Sequence, residues 1–415
     1  MRIILLLLAG LAIAGCSSDN PAPVETDANS TWGVIQEDIL AARCVGCHMA
    51  GTSFANQSAL VLTPDVAYAQ LVGAIPNNYP GFQAVTDPAN QAKFSKAWGR
   101  EIDHENGITK VRALEQAGEQ IRAMFIDGEN TVVTDPDREH CERALESLDF
   151  LVVCDLFMTE TAEFADVVFP ATGFGETDGT QTNTERRVQR LRKAVPPPGE
   201  AKPDWWIISR LAQRMNFKGF DYSGADEVFN ELCSLSGTYA GLNWDRVEFG
   251  EYQWPVPEEG HPGTPRLHED RFINGRGIFK LIRYRDPAET IDDDYPVWLT
   301  TGRRLAHYHS RTQTGRSEGL DYLRPHETLE VHPDDVAAWG ASDGGWVNMS
   351  SRRGSVRIRI ESTTRSPRGT VFSSFSFNDV PVNVLTGSGY DPVTETAELK
   401  VCPVRIEPAI EPTGD

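Results

Sequence analysis

Three short apolar runs, each stopped by polar or turn residues, constrain this chain more than any other feature. Residues 121–126 end at Asp127-Gly128, residues 150–153 end near Asp155, and residues 167–169 are closed by Pro170. Runs of this length bounded by turn residues read as strands. Helical segments lie between them, residues 139–148 for example, so the pattern is that of an α/β protein with a parallel sheet. Ligands of such sheets bind beyond the carboxyl ends of the strands. Polar clusters occupy those ends: Gly128, Glu129 and Asn130; Asp155 with Thr159 and Glu160; and the stretch holding Glu176, Gly179, Thr180, Asn183, Glu185 and Arg186. Taken alone, each cluster reads more readily as turn and cap residues than as a site.

Charge excludes one class of function. The 415 residues carry 60 Asp+Glu against 39 Lys+Arg, a formal net charge of −21, whereas nucleic-acid binders present a basic face. At 40% hydrophobic residues a packed core is feasible, and the length calls for two or three domains. Seven cysteines are too sparse for a disulfide scaffold, so their placement matters more than their number.

The first cysteine follows Arg2, an apolar run over residues 3–8 and small residues up to Gly15. This resembles the lipobox of bacterial lipoproteins, which implies cleavage before Cys16, lipidation of its thiol and a tether over residues 17–29. The chain would then be membrane-anchored outside the cytoplasm; with the signal unused it would remain cytoplasmic. A buried N-terminal helix and a transmembrane anchor are the rival readings; for the anchor, the run falls short of the about 20 residues a span needs. Cys44-Val45-Gly46-Cys47-His48 has the spacing of c-type haem attachment: Cys44 and Cys47 reach the two vinyl groups, and His48 ligates the iron. No second cysteine pair follows to complete a zinc site, and no βαβ pattern surrounds it as in a thioredoxin-like redox pair. Residues 31–73 resemble a small helical cytochrome c-like fragment through "IQEDILAARCVGCH" and "LTPDVAYAQLVG". Met49 adjoins the proximal histidine, and His104 or Met124 could be a sixth ligand only if the following domain covered the iron.

Residues 75–411 carry a second resemblance. "IRAMFIDGEN", "LDFLVVCDLFMTETAEFADVVFPATGFGETDGTQTNTERRVQRLRKAVPPPGEAKPDWWIISRLAQRMN" and "YPVWLTTGRRLAHYHSRTQTGR" look like the C-terminal part of a formate dehydrogenase major subunit, of the molybdopterin oxidoreductase family. The resemblance implies a partial nucleotide-binding domain over residues 75–220 whose polar loops hold a molybdopterin guanine dinucleotide. Gly179 and Thr180 would let the backbone approach it, and Asn183, Glu185 and Arg186 would offer hydrogen-bond partners. Thr131 and Gln181 stand where the family leads one to expect Pro and Phe.

After Pro203-Asp204, a helix start, Trp205, Ile208, Leu211 and Met215 share one face and read as core. Residues 221–292 read as a loop-heavy connection, with Asp292-Asp293-Asp294 as a solvated charge run. Residues 293–411 form a further unit with strands at 297–300, 346–349, 356–360 and 370–375, a turn at Arg353-Gly354 and a helix at 333–339. Val356, Ile358 and Ile360 alternate with Arg357 and Arg359, as in a barrel wall. This resembles the β-barrel cap domain that closes over the dinucleotide. Thr301-Gly302-Arg303, His307, His309 and Thr312 match one family loop, and Asn383-Val384-Leu385-Thr386, Glu398 and Lys400 match its C-terminal cofactor contacts. Arg303 and Lys400 suit phosphates. On an extended chain His307 and His309 would share a face; the family loop favours His309.

The family's iron-sulfur cysteines, the Cys or selenocysteine on the metal, and the His and Arg acting on formate belong to a region N-terminal to the part that matches. Cys141 and Cys154 are isolated from other cysteines, and no catalytic residue is assigned. Two readings follow. One is a formate dehydrogenase-like oxidoreductase, converting formate to carbon dioxide with redox partner proteins or a separate catalytic region, but inactive alone. The other is a non-catalytic, membrane-anchored c-type cytochrome or cofactor-binding fragment. On either reading the two halves resemble pieces of two proteins joined near residue 74, a chimera.

Overall fold

The computed structural model describes residues 88–411 except 102–106, 273–274, 278, 280, 282–283 and 393. Cys16, Cys44, Cys47, His48 and His104, with the lipid-anchor and haem readings that rest on them, lie outside the described residues. Among the described residues no helix is long and apolar enough to cross a membrane. The chain divides into two units. One takes the chain up to Glu129 with Ser147–Leu156 and Ala165–Lys280; the other takes Asn130–Glu146, Phe157–Phe164 and the chain from Leu281 onward.

In the first unit the three apolar runs become β1 (Ala123–Asp127), β2 (Phe150–Asp155) and β3 (Val167–Pro170), a parallel sheet in the order β1-β2-β3. Phe125 pairs with Val152, and Val152 with Val167. Met124 pairs with Leu151 as a strand residue. An antiparallel ribbon follows, formed by β4 (Gly179–Thr182), β5 (Arg187–Leu191) and β6 (Tyr252–Gln253).

The helix Asp204–Arg214 starts where expected but buries a different face. Ile207, Ser209 and Ala212 are its buried residues, whereas Trp205, Ile208, Leu211 and Met215 are half-buried. The reason is that it packs on two sides. Trp206 and Ile207 join Phe125, Cys154, Phe169 and Ala171 of the sheet, while Ile208 and Ala212 meet Phe217, Phe220 and Tyr222. The start of the expected loop-heavy connection is also folded. Helices Ala225–Leu235 and Trp244–Phe249 pack Phe229, Cys233 and Val247 against Val188, Tyr239, Leu242, Trp254 and Val256. Of the scattered aromatics there, Phe229, Tyr239 and Trp254 are core, hidden from periodicity by the intervening Gly and Pro residues, whereas Phe249 is exposed.

The second unit is built on a closed barrel of β7 (Val297–Gly302), β8 (Thr328–Val331), β9 (Trp346–Ser350), β10 (Ser355–Ser362), β11 (Thr370–Ser374) and β12 (Cys402–Ala409), in the order β10-β8-β11-β7-β12-β9. Closure removes the unpaired edges an open sheet would expose. Val356, Ile358 and Ile360 point inward, joining Leu299, Leu329, Met349 and Val404, and Arg357 and Arg359 point out. The helix Pro333–Ala338 begins with His332 accepting from the Asp334 N–H, Pro in the first turn and Asp334 and Asp335 near its positive end. The aspartates at 292–294 are exposed but not merely solvated. Asp292 pairs with Arg352 and accepts from the Asp294 and Tyr295 N–H groups, and Asp294 pairs with Arg405 at 3.1 Å.

Candidate cofactor-binding site

In the first unit the strand ends spend most of their polar groups on the fold. Gly128 has φ +66°, and a Cβ there would meet nothing within 4 Å, so glycine serves the turn and not a close approach. Its N–H donates to the Cys154 carbonyl at 2.8 Å, and Glu129 pairs with Lys110. Asp155 Oδ1 accepts from the Leu156 N–H at 2.6 Å, and its carbonyl accepts from Ala171 at 3.0 Å, tying the end of β2 to that of β3. Glu176 accepts from the Gly173 N–H at 2.8 Å. Gly179 and Thr180 are buried in β4, and the Gly179 carbonyl accepts from Arg190 at 2.7 Å. Asn183 Oδ1 accepts from the Arg187 N–H at 2.9 Å and closes the β4–β5 turn, in which Glu185 is exposed and pairs with Arg187 at 3.5 Å. Arg186 sits at φ +68° and donates to the carbonyls of Trp254, Thr264 (2.9 Å) and Pro265 (3.1 Å). Its guanidinium therefore braces the ribbon.

Asp127, Cys154 and Asp204 converge in this unit with ligand atoms within 4.8 Å of one another. Burial first, then the two carboxylates, push the Cys154 thiol far above its ordinary range, so it is a thiol at neutral pH.

In the second unit Asn130 is the centre of a buried cluster. Its Nδ2 donates to Glu160 at 2.6 Å, and its Oδ1 accepts from the Thr161 hydroxyl at 3.0 Å and N–H at 3.3 Å. Thr161 Oγ1 also accepts from the Val132 N–H at 3.0 Å, and Thr159 Oγ1 from Ala162 at 3.3 Å. Thr161, which sequence reasoning passed over, is thus the hinge pin of the cluster; no spacing or pattern singled it out. Asn383 is buried and donates to the Val133 carbonyl at 2.9 Å, while the Thr386 carbonyl accepts from the Asp137 N–H at 3.1 Å. Glu398 accepts from the Ala288 N–H at 2.9 Å.

The end of β7 carries the cations. Thr301 donates its hydroxyl to the Leu399 carbonyl, and its own carbonyl accepts from Lys400 Nζ at 2.6 Å. Gly302 follows, where a Cβ would come within 2.5 Å of the Phe372 ring. Arg303 is exposed, its guanidinium 5.4 Å from the centre of the Phe375 ring. Burial, then the Arg303 charge, hold the Lys400 amine below its ordinary value. Neither cation meets a carboxylate among the described residues.

His307 and His309 do not share a face, because the chain turns here. His309 has φ +52° and lies edge-on to Phe375 at 5.4 Å. His307 is buried with both ring nitrogens engaged, by Thr314 Oγ1 at 3.1 Å and the Arg324 carbonyl at 2.6 Å. It is a structural residue. The Thr312 hydroxyl pairs with that of Ser310 at 2.9 Å.

Two observations test whether a guanine dinucleotide fits. A like-charged pair lacking a counter-charge suits a diphosphate. The buried hydroxyls of Thr131 and Ser376 have no hydrogen-bond partner in their own unit, a deficit of about 1–3 kcal/mol each that a ligand could relieve. The dinucleotide end fits on these grounds. A protein ligand to molybdenum is a different matter: Cys141, Cys154, Cys233 and Cys402 are buried.

Residues 54–214 match the model of the molybdopterin oxidoreductase family, and residues 297–403 that of the molydopterin dinucleotide binding domain. The chain thus carries molybdopterin oxidoreductase and molybdopterin dinucleotide-binding domains. Its homologues include formate dehydrogenase alpha subunits: it is 42% identical to the F420-dependent formate dehydrogenase subunit alpha of Methanocaldococcus jannaschii, over 81% of this chain and 50% of that one. Identity to formate dehydrogenase H of Escherichia coli is 34%, over 81% and 48%. The chain thus spans about half the length of these relatives. Acetylene hydratase from Pelobacter acetylenicus superposes with a TM-score of 0.59 at 20% identity, over 79% of this chain and 50% of that one, a likeness of fold alone. The first family match begins at residue 54, inside the stretch 31–73 read as a cytochrome fragment.

Proposed function

We propose that this chain holds the dinucleotide end of a molybdopterin guanine dinucleotide in a formate dehydrogenase-type enzyme, and that it does not by itself oxidise formate. The observation that carries the reading is the Arg303–Lys400 pair beside β7, two cations that meet no carboxylate among the described residues. Arg303 and Lys400 would bind the diphosphate, His309 would border it from the Phe375 side, and the Thr131 hydroxyl would meet a polar edge. When bound, the cofactor supplies the metal that takes two electrons as formate becomes carbon dioxide. This chain's residues orient the anion and hold it against displacement. Titration of the full chain with guanosine diphosphate should show binding that weakens with salt and is lost in Arg303→Ala/Lys400→Ala. Equal binding by the wild type and this variant would refute the site.

A second reading rests on the spacing of Cys44, Cys47 and His48, which favours a haem c electron carrier tethered to a membrane through Cys16 and serving a redox partner. Expression with haem-ligation machinery should give haem that survives denaturation. Pigment still covalently bound in Cys44→Ser/Cys47→Ser would rule it out.

A further inference from the structure

Arg303 and Arg304 are adjacent, and a shift of one residue in the chain would exchange them. They have opposite fates. Arg303 is exposed beside Lys400, whereas the Arg304 side chain is only 10% exposed and is enclosed by acceptors. Its Nε and one terminal nitrogen donate to Glu327 Oε1 at 3.1 and 2.7 Å, the same nitrogen donates to the Thr328 carbonyl at 2.7 Å, and the other donates to Glu330. Its guanidinium lies 4.9 Å from the centre of the Phe372 ring.

The acceptors are themselves fixed to the barrel. Glu327, with a side chain 0% exposed, accepts from Ser374 at the end of β11 through its other oxygen. Glu330 is a β8 residue that also pairs with Arg365 at 3.1 Å. Burying ions costs solvation that the pair does little more than repay, so such a network is weak evidence for stability. What it can supply is selection among arrangements. Two like charges, Arg303 and Lys400, repel each other, and the loop that bears one of them needs an anchor to keep them together.

We propose that Glu327 and Glu330 decide which of the two arginines faces the anion: by holding Arg304 they fix the register of the loop and make Arg304 a positioning residue for Arg303. This rests on the anion site proposed above. Because the two side chains leave consecutive residues of one short loop, fixing one restricts where the other can point.

The test uses the full chain, inorganic pyrophosphate as the probe, and the variant Arg304→Gln/Glu327→Gln, which neutralises both partners while keeping hydrogen-bonding groups. Affinity should fall about tenfold, equivalent to about 1.4 kcal/mol. In that background Arg303→Ala should cost little further, because Arg303 is no longer held at the site. A purely structural role would leave the two effects additive. Binding at wild-type strength in the double variant, or additive losses, would overturn the inference while leaving the anion site standing. If the wild-type chain binds no pyrophosphate, the anion-site reading fails and amide hydrogen exchange decides this one. Faster exchange confined to residues 302–309 in the double variant supports the anchor, and unchanged exchange overturns it. Should the double variant not fold, Arg304→Lys, which keeps the charge but loses the planar set of donors, is judged by the same criteria.

Discussion

Glu289 shows what a single carboxylate contributes to the second unit. It pairs with Arg353 and, at 3.2 Å, with Arg352, in the turn between β9 and β10. Hydrogen bonding from Arg353 is the main influence holding its carboxyl below the ordinary range, against the opposing effect of burial. A depressed carboxylate pKa stabilises the fold above the unfolded value, about 4.3, and that contribution disappears as pH falls through the lower folded value. Glu289→Gln should therefore be less stable than the wild type at pH 7, and the gap should close on acidification below about pH 4.3. Urea titrations across that range measure it; a gap independent of pH would contradict the assignment. At this scale the sequence was legible in residue type but not in direction. His307 and His309 both matched a loop, yet the turn that buries one and sets the other at positive φ leaves no trace in their spacing. Arg186 had the right chemistry for a ligand, but carbonyls 68 to 79 residues further along the chain engage it.

The barrel strands separate into those that announce themselves and those that do not. β10 alternates without interruption from Val356 to Ile360, so its register could be read directly. β8 is four residues long and carries Glu330, whose burial makes sense only once Arg304 is in place; β12 contains Pro403 and Pro408, which argue against a strand until a closing partner is known. The three parallel strands were legible for a different reason, as short apolar runs closed by polar or turn residues. The helix between the first two was legible too, but its membership of the other unit was not, because a local pattern carries no record of which core a helix joins. Alternation makes a prediction. Ile358 is fully buried in the barrel core, so Ile358→Ala should cost about 2–5 kcal/mol, whereas Arg357→Ala, one residue away on the outside, should stay within about 0.5 kcal/mol. Equal losses in denaturant melts would mean the assigned inward face is wrong.

For the whole molecule, the central question is whether carrying the family's cofactor-binding features is enough for its reaction. Oxidising formate requires a metal held by a suitable ligand set, and groups placed to bind the carboxylate and take up the proton. The thiols of the described residues do not meet that requirement. Cys141 is fully buried in the helix Arg138–Glu146, Cys402 donates to the Leu385 carbonyl at 3.1 Å, burial pushes the Cys233 thiol up to about 12, and Cys154 is more strongly raised still. Burial thus opposes the thiolate form at Cys154, Cys233 and Cys402. Cys44 and Cys47, if they carry haem, are consumed as thioethers. Arg303 and His309 enter only the proposed contact with the cofactor. The purified chain alone is therefore expected to give no formate-dependent reduction of a viologen dye above a boiled control, even when it binds guanosine diphosphate. Reduction that persists through rigorous purification and is lost in Arg303→Ala would show that the chain finds a metal ligand among groups assigned here to the fold, with Cys154, flanked by Asp127 and Asp204, the first to replace with serine.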